Sequence, residues 1–287
     1  MTTGSQDELY RRYLGILGWV GDPGLHELVS SHLIKVPYEN VSTLLRSAEP
    51  TTPTTLTTAT TLTPIAEFLE NIAERDLGGN GYSIPIHFAS LLQFLDYEVE
   101  LLGADIGGVP RAHAVCRVRS EDIDYLVDIG HGAPFYQPIP LDTLPVHVPH
   151  GDYQYVIDRH VSGPGALEVT TLRTGGGKVQ SYVAKPPALG PEGFASAIAQ
   201  TRETSARTLR TLRISRFFAS RVLEVFDNHL VTTHHNITTV TTIRDIEELE
   251  VIVRDLLQLV RCPVREAVEI LRSRGVDIFA NSAPPSL

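Results

Sequence analysis

A chain of 287 residues with 42% hydrophobic residues is long enough to bury a large core, as one large unit or two to three small ones. No stretch approaches the roughly 18 uncharged apolar residues of a membrane span, and the opening MTTGSQDELYRRY is polar rather than basic and then apolar, so a soluble cytoplasmic protein with no membrane partner is expected. A net charge of −10 without a Lys/Arg run excludes nucleic acid as a partner, and two cysteines, Cys116 and Cys262, are too few for a disulfide framework and lack zinc-ligand spacing, which fits a reducing compartment.

From Glu8 to about Leu95 the apolar spacing is mostly helical. Ile65, Phe68, Leu69 and Ile72 recur at three and four positions and share one helix face; Thr63 is placed to cap that helix and Pro64 suits its first turn. A second helix is predicted over 84–95, burying Ile84, Phe88, Leu91 and Leu95. Between the early helices the segment TTPTTLTTATTLT, residues 51–63, has no helical period and reads as a surface loop.

From Tyr97 to Val183 the pattern changes to short alternating runs: Tyr97-Val99-Leu101, Ala114-Cys116-Val118, Tyr125-Val127-Ile129 and 168–171, separated by Gly and Pro. They predict an antiparallel sheet or small barrel. Gly175-Gly176-Gly177 lies between two such runs without the following helix or Lys-Ser/Thr pair of a phosphate loop, so it reads as a hairpin turn. Beyond Lys185-Pro186-Pro187 the chain mixes a helical stretch near 191–213, short strands near 221–243, and an amphipathic helix carrying Ile246, Leu249, Ile252, Leu256 and Val260. Three consecutive sub-domains in an α+β fold follow: helical over 1–95, β-barrel over 96–185 and α/β over 186–287.

The segments PRAHAVCRV and YLVDIGHG carry the candidate chemistry. Side chains alternate along a strand, so His113, Val115 and Arg117 share one face, and Cys116, with Ala114 and Val118, points away from His113. Asp128 shares a face with Leu126. In a hairpin Asp128 reaches His113, orients the imidazole and stabilises its charged form. A packing histidine and a turn aspartate before a glycine are the plainer reading of the same residues. His131 and His87 raise a two-His, one-carboxylate metal site, but no close pair such as H-x-x-x-H supports it, and no metal is expected. His234-His235 reads as solvated structure.

Four motifs in order resemble the arylamine N-acetyltransferase family: Val36-Pro37-Tyr38-Glu39-Asn40-Val41 is similar to its VPFENL, Gly78-Gly79 to the glycines of its RGGYCFE, Pro110-Arg111-Ala112-His113 to its PRTH, and Tyr125 to Gly132 to its YLVDVGFG. The spacing from His113 to Asp128 agrees as well, and weaker similarity continues around Ser215-Arg216-Phe217-Phe218. The resemblance implies an N-terminal helical domain, a central antiparallel β-barrel and a C-terminal α/β lid with a papain-like core, and a Cys-His-Asp triad in the cleft between them. In that family the Cys takes an acetyl group from acetyl-coenzyme A and passes it to an arylamine. His113 and Asp128 match the His and Asp. An ungapped match puts Gly81 where the nucleophile belongs, with Leu77, Ser83 and His131 replacing the motif's Arg, Glu and Phe. A gapped match, Gly81-Tyr82-Ser83 on Gly-Tyr-Cys, makes Ser83 a substitute nucleophile, although two residues turn an α-helix by about 200°.

The expected function is a natural-product tailoring enzyme in which a His113-Asp128 dyad, assisted by His131, does acid-base work. The reaction is a cyclisation, isomerisation or direct acyl transfer on a small aromatic or polyketide-like substrate, with acyl-coenzyme A or an acyl-carrier thioester as possible donor. An acyltransferase or amide synthase using Ser83, and a non-catalytic protein keeping the cleft as a small-molecule pocket, are the alternatives.

Overall fold

The computed structural model describes residues 3–49, 62–201, 203 and 206–280, with the side chains of 3–5 excepted. Residues 51–61 of the Thr-rich segment lie outside them. The helices in chain order are α1 (Thr3–Leu17), α2 (Leu25–Lys35), α3 (Val41–Ala48), α4 (Ile65–Arg75), α5 (Ser83–Phe94), α6 (Ala195–Gln200), α7 (Ile246–Val251) and α8 (Val264–Ser273). The strands are β1 (Tyr38–Glu39), β2 (Glu98–Ile106), β3 (Val109–Ser120), β4 (Ile123–Val127), β5 (Ile139–Pro140), β6 (Val146–His150), β7 (Tyr153–Arg159), β8 (Leu167–Arg173), β9 (Lys178–Lys185), β10 (Arg213–Phe217), β11 (Arg221–Phe226), β12 (His229–His234) and β13 (Ile237–Thr242). They divide between two compact units that are discontinuous in sequence, Met1–Lys35 with Gly81–Ala197, and Val36–Asn80 with Ile198–Leu287.

In the first unit β2 to β9 form one antiparallel sheet, in the order β5-β4-β3-β2-β9-β8-β7-β6, that curls into a nearly closed barrel. Inward positions of alternating strands, among them Leu102, Val115, Leu126, Ile157, Val169 and Tyr182, fill its core. The glycines at 175–177 sit between β8 and β9, where Gly175 takes φ 72° and closes the hairpin. Helix α5 packs on β2 and β3. It runs over 83–94 and buries Leu92, whereas Leu95, expected inside, is half-buried at its C-cap. A buried histidine joins the helices: Tyr13 Oη lies 2.7 Å from His32 Nε2, and the His32 ring meets Phe88 edge-on at 4.9 Å.

In the second unit β1 and β10 to β13 form an antiparallel sheet in that order. Asn40 fastens it to α3: its amide donates to the Thr208 and Thr211 carbonyls at 2.8 and 2.7 Å, and its oxygen accepts from Arg213 N at 2.8 Å. Glu39 is fully buried and accepts from Gly79 N at 2.6 Å and Ser42 N at 2.7 Å. Helix α4 buries Phe68, Leu69 and Ile72 as expected, but its N-cap is Pro64, and Thr63 instead accepts a hydrogen bond from Arg46.

Beyond β9 the chain departs from its sequence pattern. Among the described residues, 191–213 forms only short helical pieces before β10. The expected long amphipathic helix stops after α7, where a π turn over Ile252–Leu256 inserts one residue. Leu257 N then donates to Ile252 O at 3.0 Å. Leu257 and Leu259 become the buried residues, while Leu256 and Val260 face solvent. Helix α8 follows, packing on α3, where no helix was expected.

Candidate active site

Strand register brings the polar residues together. On β3, His113 lies opposite Ala104 of β2, and on the other side Cys116 and Arg117 pair with Val127 and Leu126 of β4. Asp128 is the next residue after β4, so the pairing carries its carboxylate to the imidazole: His113 Nε2 lies 2.8 Å from Asp128 Oδ1. From the far side of β2, β9 brings Tyr182 opposite Ile106. The Tyr182 hydroxyl donates to Asp128 Oδ2 at 2.6 Å, and Gly130 N donates to Oδ1 at 3.3 Å. His113, Asp128 and Tyr182 are all buried, at 3%, 1% and 0% exposure.

His131 completes the cluster from the loop after Asp128. Its ring lies 5.5 Å from that of His113 and 5.1 Å from that of Tyr182, and it is half-buried. Two glycines let the backbone close on the imidazole. The Gly81 carbonyl oxygen lies 3.1 Å from His113 Nδ1 and also accepts from Ala114 N at 3.2 Å. A Cβ on Gly81 would stand 2.8 Å from Nδ1 and 3.1 Å from the Gly130 carbonyl oxygen, and one on Gly130 would stand 2.8 Å from Pro85. Tyr82 is buried, with its hydroxyl donating to Arg111 O at 3.2 Å, and Ser83 opens α5 half-buried. Cys116 lies on the other face of β3, fully buried, its sulfur 3.6 Å from the Pro85 carbonyl oxygen.

Comparison with known proteins places the chain in a family. A family model described as N-acetyltransferase matches residues 23–261. The chain belongs to the arylamine N-acetyltransferase family. Among solved structures, the arylamine N-acetyltransferase from Nocardia farcinica superposes with TM-score 0.76 at 20% identity, covering 97% of each chain. That from Mycobacterium abscessus gives 0.75 at 16% identity, covering 94% of this chain and 96% of that one. That of Mycobacterium marinum in complex with CoA gives 0.72 at 17% identity, covering 92% and 97%. No curated protein matches the sequence.

In this arylamine N-acetyltransferase-family chain the electrostatics favour a charged carboxylate. Burial alone pushes the Asp128 pKa up, but the His113 charge, the hydrogen bond to that ring, the His131 charge and the Tyr182 hydroxyl outweigh it and hold the group below the usual carboxylate value. Tyr182 moves the other way: burial, the Asp128 charge and the hydrogen bond to it keep the phenol protonated and donating. Burial, with a smaller contribution from Asp128, pushes the Cys116 thiol up and keeps it out of thiolate chemistry. Of the residues singled out in the sequence, His113, Asp128, His131 and Gly81 meet at one point. Tyr182 was missed, and its one signal is an inward position in the alternating run over 178–185.

Proposed function

We propose that this family member carries out proton-transfer catalysis without a covalent acyl-enzyme, with His113 as general acid and base and Asp128 holding and charging its ring. The observation that carries the reading is the close approach of Gly81 to His113 Nδ1: at 2.8 Å for a hypothetical Cβ, the position facing the ring has a hydrogen where a nucleophile would need a side chain. The buried, hydrogen-bonded Asp128 supports it, because a carboxylate so placed stabilises the imidazolium formed when the ring accepts a proton.

The substrate is a small aromatic or polyketide-like molecule. In direct acyl transfer its nitrogen or oxygen attacks a thioester carbonyl, its proton passes to His113, and His113 returns it to the departing thiolate. In a cyclisation or isomerisation the same ring moves a proton between two atoms of one substrate. A positioned imidazole contributes roughly 10²- to 10⁴-fold in rate. Acyl-coenzyme A or an acyl-carrier thioester fits as a co-substrate, in line with the CoA complex of the M. marinum relative. Gly81 offers no atom to accept the acyl group, so no covalent step is assigned to it.

Intact-mass measurement after incubation with acetyl-coenzyme A tests the central point. The natural chain should gain no acetyl adduct. An adduct on Ser83 of the natural chain overturns the reading. With a panel of aromatic acceptors, His113→Ala should lower turnover roughly 10²-fold or more. Unchanged turnover, or binding of aromatic ligands with no product at all, also overturns it.

A further inference from the structure

Two imidazoles and a carboxylate converge on one spot. One donor atom from each of His113, Asp128 and His131 lies within 4.8 Å of the others, and His113 Nε2 stands 2.8 Å from Asp128 Oδ1. Two donors held about 2.1 Å from a metal ion are about 3 Å apart at right angles and about 3.4 Å apart at the tetrahedral angle usual for zinc. The closer pair is near the first spacing and must open by about 0.6 Å for the second. Imidazole and carboxylate donors in this ratio suit zinc and the first-row divalent ions near it, whereas magnesium and calcium favour oxygen alone.

The surroundings fit the same use. A ligating imidazole presents one nitrogen to the ion and donates its other N–H to a carbonyl or carboxylate, which fixes the tautomer. His113 Nδ1 has the Gly81 carbonyl oxygen 3.1 Å away. A carbonyl only accepts, so a neutral ring donating there turns its Nε2 lone pair toward the Asp128 carboxylate. A protonated ring donates to both oxygens, whereas in the neutral ring the 2.8 Å contact between lone pair and carboxylate is one that a cation beside both atoms stabilises. The second carboxylate oxygen accepts from the Tyr182 hydroxyl at 2.6 Å, an outer contact of the kind that orients ligating carboxylates. His131, a departure from the family's second-strand motif, supplies the third donor. It is the least buried of the three, and closing on an ion requires a shift of up to about 1.8 Å, within reach of a side-chain rotation.

We propose that His113, Asp128 and His131 bind one divalent transition-metal ion of the zinc class, the ion taking the place of the proton between His113 and Asp128. That proton leaves to solvent as the ion enters. The site goes beyond the proton-transfer function: an ion on His113 Nε2 and Asp128 Oδ1 occupies the two atoms whose hydrogen bond holds the dyad, so metal loading switches the dyad off.

The full chain, stripped with a chelator, is titrated with Zn²⁺ by calorimetry and with Co²⁺ by visible absorption. One ion per chain should bind, with Co²⁺ bands characteristic of nitrogen and oxygen donors. His131→Phe and Asp128→Asn should each weaken Zn²⁺ binding at least ten-fold, Tyr182→Phe should weaken it less, and His235→Gln on the exposed β12–β13 turn should leave it unchanged. Cooperative urea unfolding establishes that each variant is folded, and the Co²⁺ spectrum of the natural chain needs no variant. Absence of stoichiometric binding at micromolar Zn²⁺, or binding that survives His131→Phe, overturns the proposal. No turnover enters the measurement, so its failure leaves the proton-transfer function untouched, and an inactive protein that binds Zn²⁺ through these residues separates the two in the other direction.

Discussion

At the scale of single residues, the site depends on one carboxylate and its three donors. Asp128 is buried with His113 and Gly130 N on one oxygen and the Tyr182 hydroxyl on the other. Removing one donor to a buried charge leaves part of its desolvation uncompensated. Tyr182→Phe, which keeps the ring and deletes only the hydroxyl, should therefore cost about 1.5–3 kcal/mol of stability in urea unfolding. A loss under about 0.5 kcal/mol would mean that this hydrogen bond contributes nothing net. His113 and Asp128 were legible because strand alternation and hairpin pairing act over a few residues. Tyr182 was not, since its place is set by the register of β9 on β2, a pairing between segments some 80 positions apart that no local pattern encodes.

At the scale of elements, apolar spacing was reliable where helices are regular and misleading where they are not. Phe68, Leu69 and Ile72 fall inside as their spacing requires. After α7 the π turn rotates the chain by one residue, so Leu257 is fully buried and Leu256 is 42% exposed. Leu257→Ala should cost about 2–5 kcal/mol in chemical denaturation, and Leu256→Ala less than about 0.5 kcal/mol. The reverse order would restore the regular helix that spacing alone predicts. Strands β6 and β7 escaped notice because few of their residues are fully buried and Pro149 interrupts the first.

At the scale of the whole molecule, the sequence order of helices, sheet and mixed segment hides the fact that each compact unit is built from two separate stretches of chain. Long-range packing decides that division, and composition carries no trace of it. Acid response is also a property of the fold. Burial lowers the His32 pKa from 6.5 to about 3. Between those values the unfolded chain binds a proton that the folded chain refuses, so stability is full above about pH 6.5 and falls as pH drops toward 3. From pH 6.5 to 4.5 the natural chain should lose about 2 kcal/mol more than a His32→Leu variant, measured by urea unfolding at both values. Parallel pH profiles would show that His32 is already charged inside.

The Tyr182–Asp128–His113 chain of hydrogen bonds crosses three barrel strands and the residue after a fourth. A one-residue slip anywhere along that path would send the phenol or the imidazole to the barrel's opposite side while leaving strand content unchanged. Misthreaded protein would thus look native to far-ultraviolet spectroscopy and yet be chemically silent, which makes competence at this centre a finer gauge of correct assembly than any bulk optical signal.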